Sequence, residues 1–153
     1  MGGNEPVNIE QYLSENGTLT YSNKGTSMMP LLREGKDMFT LRRKGAERCK
    51  IGDVVLYKRP PKDYVLHRVV EVRENDYVIL GDNCVTYEYG IKDSDILGVM
   101  TSFTRGGKEY RVESRGYRLY TFIILHTKGI RIFTRRALSW ALRKLRYIFR
   151  AAR

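Results

Sequence analysis

From Thr18 to Thr104 the chain is a succession of short runs rich in β-branched and aromatic residues, with turn residues between them. Such runs read as strands, and they come too densely for anything but a mainly β body. The predicted strands are Thr18–Tyr21, Met38–Arg42, Asp53–Lys58, Tyr64–Val72, Tyr77–Leu80 and Ile96–Phe103. Breaks fall at Glu34-Gly35, at Arg59-Pro60-Pro61-Lys62, at Glu74-Asn75-Asp76 and at Gly106-Gly107, and Glu109–Val112 closes a further hairpin across the last of these. Ahead of the strands, Asn8 caps a short helix, with Gln11 three residues on and Gly17 as its stop. The expected architecture is a partly closed barrel of small sheets, with a short N-terminal helix and a C-terminal helix.

Charge divides the chain as clearly as strand texture does. Of 153 residues, 28 are Lys or Arg and 17 are Asp or Glu, for a net charge of +11. Residues 1–114 carry 17 basic and 17 acidic side chains, while residues 115–153 carry 11 basic side chains and no acid. We therefore divide the chain into a neutral body, 1–114, and a cationic tail, 115–153. A helix is expected from Thr134 to about Arg150. At 100° per residue, Leu138, Ala141, Leu142, Leu145, Ile148 and Phe149 share one face, with Arg136, Arg143, Lys144 and Arg150 on the other and Arg135 and Arg146 flanking.

The remaining totals exclude several classes. Two cysteines, Cys49 and Cys84, make no disulfide framework and permit a reducing compartment. The N-terminal segment lacks a secretory pattern, and the longest strongly apolar run, Tyr120–Leu125, is far short of the ~20 residues that span a bilayer. A cytoplasmic location is expected, with peripheral contact to the inner face of the plasma membrane. No metal or other cofactor is called for.

Three positions could carry chemistry. His67 lies inside the predicted strand Val65-Leu66-His67-Arg68-Val69-Val70, where alternation puts it on a face with Val65 and Val69. By itself that is the setting of a hydrogen-bonded core histidine. Ser27 lies in Gly25-Thr26-Ser27-Met28-Met29-Pro30, a turn able to expose a hydroxyl and aim backbone N–H groups at one point. Gly81-Asp82-Asn83 follows the strand Tyr77–Leu80 and alone signals only a turn.

In order and spacing, these segments resemble the superfamily that joins type I signal peptidases with the self-cleaving repressors of the DNA-damage response. Ser27-Met28-Met29-Pro30 is similar to the Ser-Met-x-Pro nucleophile box, and Glu34-Gly35-Lys36-Asp37-Met38-Phe39 loosely matches the strand that follows it. Ile51-Gly52-Asp53-Val54-Val55 resembles the next box, and His67-Arg68-Val69 resembles the general-base segment in its histidine form, as in the endoplasmic-reticulum type. Gly81-Asp82-Asn83 and Ile96-Leu97-Gly98-Val99 complete a likeness covering about residues 20–105. Gly25 stands where many signal peptidases have a second hydroxyl, and Thr26 brings a hydroxyl to a place usually held by glycine. Six residues after Asp82, where histidine-type enzymes carry a further aspartate, this chain has Glu88. The membrane-spanning helix that precedes the serine in signal peptidases has no counterpart in residues 1–26.

The resemblance implies a signal-peptidase-like β fold and a serine endopeptidase. Ser27 would be the nucleophile and His67 the base, with the Ser27 N–H, aided by Thr26, holding the oxyanion. Asp82, favoured for its place in the Gly-Asp-Asn box, or Glu88 would orient the ring. Repressor-like self-cleavage is not expected, because the chain has no Ala-Gly pair. The competing class is a non-catalytic binding module on the same fold that acts through its basic tail. For the tail, three readings stand: docking on an anionic membrane through Arg135, Arg136, Arg143, Lys144, Arg146 and Arg150; nucleic-acid binding, the least favoured; and packing of the apolar face on the body. The expected partners are a peptide or protein substrate and an anionic membrane surface, and the sequence leaves the oligomeric state open.

Overall fold

A computed structural model describes residues 8–61 and 63–151. Its order begins with α1 (Ile9–Asn16), β1 (Thr18–Ser22), β2 (Met38–Arg43), β3 (Val54–Arg59) and β4 (Asp63–Val72). It continues with β5 (Tyr77–Leu80), β6 (Glu88–Ile91), β7 (Ile96–Arg105), β8 (Lys108–Arg111) and α2 (Arg115–Ala151). The eight strands form one antiparallel sheet, seven of them in the order β1-β2-β7-β3-β4-β5-β6, with β8 paired to β7 off that path. The long β7 carries β2 along one edge and, on the other, β3 followed by β8. The protein is thus mainly β as expected, but its strands make one open sheet, with no pairing that closes β1 onto β6 among the described residues.

Local signals explain most of these elements. Asn8 Oδ1 accepts the N–H groups of Glu10 and Gln11 at 3.1 and 3.3 Å, supplying partners for two free amides at the start of α1. Gly17, at φ 71°, ends the helix in the left-handed conformation. Both sheet faces are covered. On one, Leu13, Met28, Leu32, Phe39, Leu41, Leu56, Leu66 and Met100 make the larger core cluster. Val55, Tyr57, Val69, Tyr77, Ile79 and Val99 make the second cluster, on the opposite pleat of the central strands.

Two elements differ from expectation. The sequence reading has no strand at Glu88–Ile91, because Glu-Tyr-Gly-Ile is a poor strand former and Gly90 takes φ 74°. The C-terminal helix begins at Arg115 rather than Thr134 and runs 37 residues. Ser114 caps it, with Oγ accepting the Tyr117 N–H at 3.3 Å, while Thr134 sits mid-helix and bonds back to the Arg131 carbonyl. The first five turns of α2 dock on the body. Tyr117 and Tyr120 pack against the larger cluster, and Leu125 and Ile132 against Val70, Val78 and Leu80. Gly52 lies so close beneath that a Cβ there would stand 2.9 Å from Thr121 Cγ2. The side chains of Leu145, Ile148, Phe149 and Arg150, assigned to the tail's two faces, lie outside the described residues. Among the described residues, no helix is long and apolar enough to cross a membrane.

Candidate active site

Ser27 owes its position to the residues after it. Met28, Leu31 and Leu32 are buried in the larger cluster and pin the Ser27 turn to the sheet. The side chain of Asn23, itself buried, donates to the Gly25 carbonyl at 3.1 Å, and Glu34 accepts the Gly25 N–H at 2.8 Å. Downstream, Asp37 binds Arg33 at 2.8 Å and Arg105 at 3.2 Å, and Arg105 also donates to the Pro30 and Leu31 carbonyls at 2.7 and 2.6 Å. The hydrogen bonds of Arg33 first, against the cost of burial, hold the Asp37 carboxyl down at about 2. The loop behind the serine is therefore built rather than slack. The Ser27 and Met28 N–H groups donate to no acceptor among the described residues.

His67 sits on β4 opposite Val55 and is 5% exposed, as expected of a strand residue sharing a face with Val69. Its ring is held from two sides. Glu88 Oε1 lies 3.2 Å from Nδ1, and the Tyr57 hydroxyl lies 3.4 Å from the same nitrogen. Burial pushes the His67 pKa below its ordinary value; the Glu88 charge pulls it back in part and Arg59 pushes it down again. The imidazole is thus neutral at pH 7, with Nε2 turned away from its carboxylate.

Asp82 does different work. Its two carboxylate oxygens accept from Arg68 Nε and Nη2 at 2.8 and 2.7 Å, and Tyr120 donates to one of them at 2.9 Å. Arg68 is 0% exposed and also donates to the Gly52 carbonyl, the Tyr117 hydroxyl and Thr121 Oγ1. Burial disfavours its charge, but the hydrogen bonds and charge of Asp82 outweigh that and raise its pKa. The preference for Asp82 as the ring's partner therefore gives way to Glu88. A carboxylate with both oxygens engaged by a buried guanidinium is a structural tie between the His67-Arg68 strand and the Gly81-Asp82 turn.

Sequence reasoning read Gly81 only as part of a turn box and gave Cys84 no role in the site. A Cβ on Gly81 would lie 2.6 Å from Cys84 Sγ, 2.8 Å from the Ser27 carbonyl oxygen and 2.9 Å from His67 Nε2. These three groups therefore converge on the space that glycine leaves free. Asn83 N–H donates to the Ser27 carbonyl at 2.7 Å, joining the two loops directly. Cys84 Sγ stands 3.9 Å from His67 Nε2, whereas no hydrogen bond joins the Ser27 hydroxyl to the ring. Burial, then the Glu88 charge, raise the Cys84 pKa, so the sulfur is a thiol at neutral pH. Only the Gly-Asp-Asn-Cys adjacency could have drawn attention to it.

Ser27, His67, Cys84 and Glu88 line one open cavity of about 960 Å³, with Arg59, Tyr64 and Asn83 around them. Thr26 does not: it is exposed, and its carbonyl accepts the Met29 N–H at 3.1 Å. The cationic helix enters the site as well. Leu138 and Ser139 line the cavity, and Arg131, Arg135 and Arg136 donate to the carbonyls of Asp82, Asn83 and Val85, the last at 3.0 Å. Arg135 and Arg136, assigned to a membrane from sequence, thus hold the loop that carries Cys84. Arg143, Lys144 and Arg146 remain exposed. A neutral imidazole beside a carboxylate, with a serine on the same cavity, are the kinds of group that nucleophilic acyl transfer uses. No family model matches the chain, and no curated protein sequence is significantly similar to it.

Proposed function

We propose that this protein is a serine endopeptidase acting on a peptide or protein close to a membrane surface. The observation that carries the reading is Glu88 at 3.2 Å from His67 Nδ1, with the ring's other nitrogen on the cavity that Ser27 lines. The order of the boxes around Ser27, His67 and Gly81, and their likeness to histidine-type signal peptidases, supports the same assignment. In the reaction, Ser27 Oγ attacks the scissile carbonyl as its proton passes to His67 Nε2. Glu88 steadies the imidazolium through Nδ1–H, and the Ser27 N–H takes the oxyanion. His67 then delivers the proton to the leaving amine, and water, activated by the same nitrogen, hydrolyses the acyl-enzyme and frees Ser27. The free thiols Cys49 and Cys84 suit a reducing compartment, and we assign the protein to the cytoplasmic face of the plasma membrane. A preference for small residues before the cut follows from the resemblance.

The proximity of Cys84 to Nε2 favours one other reading, in which the sulfur is the nucleophile. Its raised pKa argues for serine. Labelling with a serine-reactive acylating inhibitor, followed by mass spectrometry of the intact chain, decides between them. An adduct lost in Ser27→Ala and in His67→Ala but kept in Cys84→Ala is expected. An adduct lost only in Cys84→Ala moves the nucleophile to the thiol, and no adduct in the wild type makes the fold a binding module.

A further inference from the structure

α2 has two faces, and only one of them meets the body. Ile124 is buried, and Arg131 and Arg135 reach the Asp82 and Asn83 carbonyls from the inward side. On the outward side, Leu119, Phe122, Ile123, Ile130, Phe133 and Trp140 are all exposed, from 49% at Ile123 to 72% at Phe133. At 100° per residue these six fall within an arc of about 100°, a stripe as wide as a core-facing helix normally buries. It is a different stripe from the one centred on Leu138 and Leu142 that the sequence suggests for 134–150, and it begins four turns earlier. From Leu119 to Trp140 it extends about 30 Å along the helix.

Charge decides what can cover it. Arg115 and Lys144 stand at the ends of the stripe and Arg118 and Arg143 along one border, while residues 115–153 contain no acid. A second copy laid on this face would bring like charge against like charge, and a nucleic acid would neutralise the arginines but leave the leucine, phenylalanine and isoleucine side chains in water. An anionic bilayer satisfies both, with headgroups for the cations and the acyl boundary for the apolar stripe. We infer that the outward face of α2, Leu119 to Trp140, is a docking surface for an anionic lipid bilayer, on which the helix lies in the plane of the interface. The inference rests on the membrane-proximal part of the proposed function and is independent of the peptidase chemistry.

Trp140 is the chain's only tryptophan and lies in the stripe, so its fluorescence reports the docking directly. The full chain is titrated with vesicles of mixed phosphatidylglycerol and phosphatidylcholine, and with phosphatidylcholine alone. Expected are a blue shift of Trp140 emission with the anionic vesicles, quenching when their acyl chains are brominated, and partitioning at least about tenfold weaker for Ile130→Glu/Phe133→Glu. Both substituted residues are mostly exposed, so circular dichroism of that variant should match the wild type. Binding without quenching, or binding that the double variant leaves unchanged, would mean that the arginines alone hold the lipid and would overturn the assignment. So would a blue shift that grows with protein concentration in the absence of lipid. Ser27 labelling of the same sample keeps the two proposals apart, since labelled protein that ignores vesicles sinks only the docking surface.

Discussion

Glu88 and His67 meet at 3.2 Å although a whole strand, β5, lies between theirs in the sheet. The register accounts for it. Glu88 pairs with Ile79 and Ile79 with Val69, so Glu88, Ile79, Val69 and His67 point to the same face. Continuing that register puts Gly81 opposite His67, and the missing side chain there leaves room for the ring. Glycine there makes room on the Nε2 side of the ring, while Glu88 meets the ring at Nδ1.

The pairing fixes a pH dependence. Burial sets the His67 pKa below its ordinary ~6.5, so the acid limb of kcat/KM, where the ring takes a proton, should have its midpoint below pH 6.5. Because Glu88 raises that pKa, Glu88→Gln should move the acid limb to lower pH while reducing kcat by about 10²–10⁴-fold. A limb left in place would separate Glu88 from the base. The same depressed pKa makes folding more favourable above pH 6.5 and less so as the pH drops, since the unfolded chain then binds a proton that the folded one refuses.

Asp82 should behave as a structural residue. Asp82→Asn leaves the Arg68 guanidinium buried without its counter-charge, at a cost of about 3–5 kcal/mol, or a Tm lower by roughly 6–20 °C. Glu88→Gln, at a partly exposed site, should cost at most about 1 kcal/mol. Thermal unfolding of the two variants side by side would show the contrast, and equal losses would undo the division of roles.

Gly81→Ala tests the convergence at the centre of the site. Its Cβ would stand within 3.0 Å of Cys84 Sγ, the Ser27 carbonyl and His67 Nε2, so those groups must shift. A displacement of about 1 Å in such a constellation costs about 10²-fold in rate. Inhibitor labelling of Ser27 should slow by at least that much, while far-ultraviolet circular dichroism stays that of the wild type.

The two thiols should separate under alkylation. Cys49 is buried and its pKa is pushed up to about 11, so it should stay unmodified in the folded protein. Cys84 opens on the cavity, and one equivalent of N-ethylmaleimide on it should block Ser27 labelling. Cys84→Ala should make labelling insensitive to the reagent, and a reagent-sensitive Cys84→Ala would locate the modified group elsewhere.

What the sequence determined alone is local in range. Runs of β-branched and aromatic residues between turn residues were enough to find β1 through β5, β7 and the last hairpin, and the Asn8 and Gly17 caps were enough to bound α1, because strand preference and cap geometry depend on neighbours a few residues away. The order of Ser27, His67 and Gly81-Asp82 pointed to the site, yet it ranked Asp82 above Glu88. That choice depends on register across three strands, and on Arg68, whose complete burial within β4 no run of letters reveals. The early start of α2, its arginines on the Asp82–Val85 carbonyls and the unpartnered stripe from Leu119 to Trp140 likewise depend on what lies beside the helix. Periodicity marks a face as apolar; only packing decides whether the body covers it. Tertiary structure thus selected the carboxylate and exposed the stripe, because both are relations between residues far apart in the chain.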